Sequence, residues 1–494
     1  MPADFLNDVV AVARTALAYE ACEDPGTARE IGGATNSAEV ALHELFRCWR
    51  LDKDHYGSSA WNPLGALIPP QAKILIKPNW VYHQNQSGAG LDCLLTHSSF
   101  IGAAAKYAAL TKPAQLIIGD APIQGCDFEQ LCRLAGIDEL ADRLRLHGLQ
   151  FSIADFRRTI LKGNSVIHQQ SEDVRELGHF ILFDLKQDSL LEPLSADADK
   201  FRVTMYNPDL LQRTHSAGRH QYLIAREVVE ADVVINLPKL KTHRKACVTG
   251  ALKNLIGVNG NKEYLPHHRK GGLQSHGDCY AGQPGWKRAT EDLLDAANRH
   301  PSGVVQASLS WMARAARRIA ARLGADENLE GSWYGNDTIW RTCLDLQRIV
   351  RYGRLDGSLG ATPQRTVISV TDAIIGGEGE GPLANTPMLS GFVTGALSTA
   401  AAEWVHARLM GFDPEKIPLV REAFGNFEYP LADFSPGSIR VWIGDQEKLA
   451  PQVFPFERRA FLPPQGWLGH CELSDGGIVP RTERPAPRFV RVTE

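Results

Sequence analysis

Apolar residues along this chain fall into short runs of strand length that alternate with stretches of helical spacing. AKILIKPNWV (72–81) is one such run, interrupted by Pro78, and AQLIIGDAP (114–122) repeats its design with Gly-Asp-Ala-Pro at its end. IGAAAKYAALT (101–111) lies between them with helix-like spacing, so the order is strand, helix, strand, the rhythm of a parallel sheet. ADVVINLPKLKTH (231–243) has the most buried-looking strand core and ends in a proline and a burst of charge. ALKNLIGV (251–258) then reads as the start of a helix, RTVISVTDAIIGGEGEGPLANTP (365–387) as a strand entering a Gly-rich loop, and SIRVWIGD (438–445) as one more strand. Helical spacing is also predicted over 4–22, 38–50 and 393–410.

Between Asn259 and about Thr342 the chain turns polar and Gly/His-rich, with helical patterns at 288–298 and 305–323. The pattern predicts an α/β protein of mostly parallel sheet units with helices. It divides into a helical N-terminal extension (1–70), a first α/β unit (71–258), a His/Gly-rich insertion or lid (259–345), a second α/β unit (346–480) and a C-terminal tail (481–494). No repeat of solenoid period is present in the sequence.

Composition narrows the class without naming a function. With 44% hydrophobic and 22% charged residues in 494, the chain is neither a disordered tail protein, a collagen nor a disulfide miniprotein. The 53 basic residues nearly balance the 57 acidic ones, so no nucleic-acid partner is expected. Nine cysteines, an odd number without a C-x-x-C pair, speak against a disulfide framework and an iron–sulfur cluster and for a reducing compartment. The N-terminal stretch lacks a basic n-region, and no window holds 18 uninterrupted apolar residues. Neither a secretory signal nor a transmembrane segment is expected, and the protein reads as cytoplasmic.

In open α/β sheets the ligand crevice lies beyond the carboxyl ends of the strands, so polar residues that follow apolar runs are the candidates. They are Lys77 and Asn79, then Asp120, then Asn236, Lys239, Lys241, Thr242 and His243, then Asp372, Glu378 and Glu380. NLPKLKTHRK crowds cations into a chain of net negative charge, which suits a phosphate or carboxylate ligand, with Lys253 and Asn254 following. If Gly250 opens a helix, its free N–H groups add to that anion site; the alternative is a solvated basic turn. Asp372, Glu378 and Glu380 suit a hard divalent cation or a general base, against an ordinary acidic loop. His267, His268, His276, Asp278 and Cys279 are metal-ligand types at no standard spacing, so a divalent metal is a candidate cofactor on His267, His268 and Asp278. Cys247 beside His243 and Lys245 is either a nucleophile or a small core residue. LSWMARAARRIAARLG spaces Arg314, Arg318 and Arg322 four apart, a basic amphipathic helix for an anionic membrane surface or for capping its own domain.

Taken together, ILIKPNWV, IIGDAP, ADVVINLPKLKTH followed by VTGALKNLIGV, and VTDAIIGGEGEGP resemble the family called domain of unknown function 362, over roughly 70–415. The insertion with GSWYGNDTIWR looks like a branch associated with surface-polysaccharide metabolism. Members of that family often end in a ferredoxin-like module; this chain has no matching cysteine cluster, so the resemblance carries no electron-transfer role. The family's Asp-Pro-Val-Ala-Val-Asp stretch is replaced here by LSTAAAEWVHARLMGFD, with Glu403 nearest to the missing aspartate. A fold-level likeness to nickel-pincer lactate racemases is the remoter analogy.

These readings lead to an enzyme that acts on an anionic small molecule by acid–base isomerisation or group transfer. Lys239, Lys241, His243, Asp372 and Glu378 would be catalytic, and Lys77, Asn79, Asp120, Asn236, Thr242, Lys253, Asn254 and Glu380 would bind substrate. The alternatives are a non-catalytic assembly protein in peripheral contact with the membrane, or a metal-dependent redox enzyme.

Overall fold

A computed structural model describes residues 6–19, 37–162, 170–300, 302–322 and 328–474. Its centre is an eleven-stranded mixed sheet. In chain order the strands are β1 (Val9–Arg14), β2 (Lys73–Pro78), β3 (Gln115–Asp120), β4 (Ser152–Asp155), β5 (Val233–Leu237), β6 (Lys239–His243), β7 (Cys247–Thr249), β8 (Thr366–Glu380), β9 (Ala384–Ala396), β10 (Arg440–Ile443) and β11 (Gln446–Leu449). Across the sheet they run β11-β10-β1-β9-β8-β5-β2-β3-β4, while β6 pairs with β7 and with the distal half of β8. From β8 through β5, β2 and β3 to β4 every pairing is parallel, which is the expected α/β core.

Side chains leave a strand on alternating faces, and here both faces are covered. Val9, Ala11 and Ala13 of β1 and Val233, Ile235 and Leu237 of β5 enter one core, beneath the helices Ser37–Cys48 and Ser98–Ala109. Val10 and Val12 of β1 enter a second core with the helices Ile339–Tyr352 and Thr399–Met410, and Val234 enters a third with the small sheet Phe180–Asp184, His215–Ser216 and Arg219–Ala225.

Three expectations change. The spacing over 4–22 predicts a helix, but Val9–Arg14 is a strand between β9 and β10; its alternating Val and Ala fit a buried strand as well as a helix, and backbone pairing with both neighbours decides. The supposed Gly-rich loop after 372 is the second half of a 15-residue strand, β8, whose glycines let neighbouring backbone approach: a Cβ on Gly377 would lie 2.4 Å from the Cys93 carbonyl. The helix predicted over 393–410 starts only at Thr399, after β9, with the Ser398 side chain accepting from Ala401 N. The helix predicted over 38–50 spans Ser37–Cys48, and the insertion supplies the helices Gly285–Arg299 and Gly303–Arg322. The C-terminal tail from 481 lies outside the described residues. Among the described residues no helix is long and apolar enough to cross a membrane.

Val12 is fully buried, opposite Thr394 of β9 and Ile443 of β10. Val12→Asp places an unpaired carboxylate there, so the cooperative melt followed by circular dichroism should be lost or shifted far down. A melt like that of the parent chain would contradict the placement of β1 inside the sheet.

Candidate functional site

The parallel strands end together and deliver their polar termini to one region. At the end of β2, Lys77 is fully buried, with Nζ 2.7 Å from Asp120 Oδ1 at the end of β3. The same ammonium donates to Pro78 O at 2.8 Å and to Asn254 Oδ1 at 3.2 Å. Asp120 also accepts the backbone N–H groups of Trp80 and Ala121. Burial pushes the Lys77 ammonium down and the Asp120 carboxyl up, and each partner opposes the other's shift. Gly257 closes over this pair so tightly that a Cβ there would lie 2.0 Å from Asp120 Oδ1. Beside it Asn79 donates to Asn254 at 3.0 Å, Asn254 donates to Asn236 at 2.8 Å, and Asn236 donates to Ala251 O and Ser369 Oγ.

A second buried pair lies where β6 meets β8. Lys239 Nζ sits 2.7 Å from Asp372 Oδ2, both side chains being inaccessible. Tyr19 bridges them: its hydroxyl donates to Asp372 and accepts from Lys239 at 2.7 Å, while its ring stacks on His97 with centroids 3.8 Å apart. His97 N donates to Asp372 at 3.1 Å. Burial and the neighbouring carboxylate raise the Tyr19 hydroxyl well above its ordinary value, so it remains a proton donor at neutral pH.

Between these pairs lies a group of cations that the protein leaves uncompensated. Among the described residues no carboxylate lies within ion-pairing distance of Lys241, Lys245, Lys253 or Lys262. Lys241 Nζ donates to Leu94 O, Lys245 Nζ to Thr204 Oγ1 at 3.0 Å and Lys262 Nζ to Ala121 O at 3.5 Å, whereas Lys253 is buried and finds no side-chain acceptor among the described residues. Burial lowers all four ammonium groups. Lys241 falls well below the usual range, Lys253 is lowered, and Lys262 is pushed down to about 8 with Lys253 and Lys77 adding to the effect and Asp120 resisting it. His243 and His267 share this environment, and burial plus the surrounding lysines hold both far below the ordinary imidazole value.

Hydrogen bonding fixes the form of each neutral ring. His243 Nδ1 faces two backbone donors, Lys245 N at 3.1 Å and Ala246 N at 3.2 Å, so it carries the lone pair and Nε2 carries the proton. His267 Nδ1 faces the Leu265 carbonyl at 2.6 Å, which can only accept, so Nδ1 carries the proton and Nε2 is a free base. One imidazole can donate from its outer nitrogen and the other can accept.

Several candidates serve other ends. Glu378 accepts from Leu462 N at 2.9 Å, and Glu380 accepts from Gln465 N and pairs with Arg244 at 3.1 Å, so both acids pin the C-terminal segment to β8. Thr242 Oγ1 donates to Gly379 O at 2.8 Å. The expected metal set is not assembled: among the described residues no three His, Cys, Asp or Glu side chains are arranged to hold a metal ion. Asp278 accepts instead from Arg269 N, Thr338 Oγ1 and Asp337 N, anchoring the insertion. The helical turn Ala251–Asn254 spans only four residues and its Leu252 N–H donates to Glu403 at 3.1 Å, so it offers no anion-binding terminus. Burial raises the Cys247 thiol well above its ordinary value, opposite to what a nucleophile needs. Tyr19 and Lys262 escape sequence reasoning, the first in a stretch of helical spacing and the second in a polar turn.

Residues 187–408 match the model of the family described as Domain of unknown function (DUF362). The Thylakoid-associated protein of Synechocystis sp. is 33% identical over 87 residues, 18% of this chain and 25% of that protein. The matched stretch therefore spans a quarter of that relative's length. A solved Thermotoga maritima protein, a structural-genomics target, aligns over 66% of this chain and 51% of its own with TM-score 0.27 and 9% identity.

The paired and unpaired lysines should answer differently to removal. Lys239→Met strands a buried carboxylate and should lower stability by about 3–5 kcal/mol in urea unfolding. Lys253→Met removes a buried charge that no carboxylate neutralises and should leave stability unchanged or raise it. Equal losses in the two variants would contradict the distinction.

Proposed function

We propose, for a chain whose residues 187–408 match the domain of unknown function 362 family, an enzyme that binds a phosphorylated or carboxylated small molecule at the lysine group and moves a proton on it. One observation carries the reading: Lys241, Lys245, Lys253 and Lys262 lie together at the ends of a parallel sheet, and among the described residues none of them forms an ion pair with a carboxylate. A protein gains nothing in stability by burying such charges, whereas an anionic ligand is the partner they lack. Lys245, Lys262 and His267 are partly exposed, so the group reaches solvent.

On this reading His267 Nε2 takes a proton from the bound ligand, and the Nε2–H of His243 gives one or stabilises a developing oxyanion; the hydrogen bonds at each Nδ1 support these roles. The lysines hold the anion and favour negative charge as it builds up. Lys77 with Asp120 and Lys239 with Asp372 act by position, keeping the strand ends in register. Acid–base isomerisation uses all these groups, and group transfer from a phosphorylated donor uses the same anion site. Surface-polysaccharide metabolism, rich in phosphorylated sugars, is the setting we associate with this branch of the family.

The test begins with binding. Inorganic phosphate and pyrophosphate, titrated by calorimetry, should bind the parent chain with proton uptake, because a bound anion raises the depressed lysines. Lys253→Met or Lys262→Met should weaken binding roughly 30-fold or more, the loss usual for truncating one side of a buried charge contact.

Affinity should also depend on pH in a defined direction. Lys262 is protonated below about 8 and neutral above it, so binding should be tightest below that value and fall as pH rises through it. In a panel of sugar phosphates and small carboxylates, His267→Gln should retain binding yet abolish solvent-deuterium incorporation seen by NMR. Anion binding that ignores both lysines and pH would overturn the assignment.

A further inference from the structure

The outermost element of the insertion has features that neither its own packing nor the proposed site uses. The helix Gly303–Arg322 packs on the helix Gly285–Arg299, and its buried strip is Gln306, Ala313 and Ala320, seven residues apart on one narrow face. The opposite side is open to solvent and apolar: Val304 is 77% exposed, Trp311 66%, Ile319 58% and Met312 49%. Helical spacing sets these four side by side along one stripe. An exposed patch of this kind on a protein surface calls for a partner.

Charge identifies the partner. Arg318 and Arg322 are exposed, lie four residues apart beside the stripe, and the helix contains no Asp or Glu. Carboxylates of the supporting helix are engaged elsewhere: Asp295 binds Arg202 and Lys270, Asp292 binds Lys270, and Glu291 accepts from Tyr280. Two exposed guanidinium groups beside a tryptophan-bearing apolar stripe match a lipid surface with anionic headgroups, Arg318 and Arg322 meeting phosphates while Trp311 and Ile319 enter the acyl boundary. A second copy of this chain would set like charges close together.

We propose that this helix docks the protein on the surface of an anionic bilayer, lying in the interface without crossing it. The proposal is independent of the lysine group and stands whether or not that group binds a ligand.

The experiment is co-sedimentation of the full chain with phosphatidylcholine vesicles, with and without phosphatidylglycerol, at low and high salt. The parent chain should bind only the anionic vesicles, and less as salt rises. Arg318→Gln and Arg322→Gln should each weaken binding about fivefold, and the pair Trp311→Ser with Ile319→Ser should abolish it. Brominated lipid should quench fluorescence in the parent chain that Trp311→Phe no longer shows. All variants alter solvent-facing positions, and an unchanged thermal melt shows that they fold.

Absence of binding to anionic vesicles would overturn the proposal. So would binding indifferent to all these substitutions, or a parent dimer in sedimentation velocity that Trp311→Ser with Ile319→Ser makes monomeric.

Discussion

Ammonium groups buried at the ends of parallel strands set the terms for the rest of this structure. Removing a lysine charge from water costs several kcal/mol unless an opposite charge and well-placed acceptors replace the lost solvation. Two lysines meet that demand within the chain, Lys77 through Asp120 and Lys239 through Asp372. Lys241, Lys245, Lys253 and Lys262 meet it only in part, and the shortfall appears as depressed proton affinity. A depressed lysine recovers its proton when an anion arrives, so proton uptake and anion binding are two sides of one equilibrium.

Such an arrangement needs a scaffold that can bear the cost. The sheet supplies it by burying both faces: the strands alternate their side chains between one core under the N-terminal helices and others on the far side. β1 matters here out of proportion to its length. It joins the pair β10 and β11 to the long hairpin of β8 and β9, and the residues just after it bring Tyr19 to the Lys239–Asp372 pair. Strand order thus explains how the chain's beginning reaches a site whose other residues lie hundreds of positions away.

How much of this could be read beforehand depended on whether the signal was local. AKILIKP, AQLIIGD and ADVVINL are apolar runs of the right length, ended by polar or proline residues, and all became parallel strands with Lys77, Asp120 and Asn236 near their carboxyl ends. VVAVAR satisfies helical and strand periods alike, and only the gap it fills between β9 and β10 selects between them. The glycines of β8 look like a loop, yet their lack of side chains is what lets the strand run close beside β6 and the Cys93 carbonyl. Glu378 and Glu380 have the chemistry of a base or a metal ligand, and the backbone donors of Leu462 and Gln465 claim both; no spacing rule shows a partner more than eighty residues away. The protonation of His243 and His267 follows from which backbone group faces each ring, and no sequence pattern encodes that.

Glu403 links the helix Thr399–Met410 to the turn that carries Lys253. It stands nearest to the aspartate that the resemblance to the family leads one to expect, and it is fully buried in the helix Thr399–Met410. One carboxylate oxygen accepts from Leu252 N in the turn that carries Lys253, and the other has no hydrogen-bond partner. Gly250 makes room for it, since a Cβ there would lie 2.5 Å from Oε2. At this range Glu403 raises the proton affinity of Lys253 without forming an ion pair, so burial still outweighs it and Lys253 stays depressed. A carboxylate in direct contact would have neutralised Lys253. On the proposed reading, holding the negative charge one step back, on the turn and off the ammonium, positions Lys253 and leaves its charge for an anionic ligand.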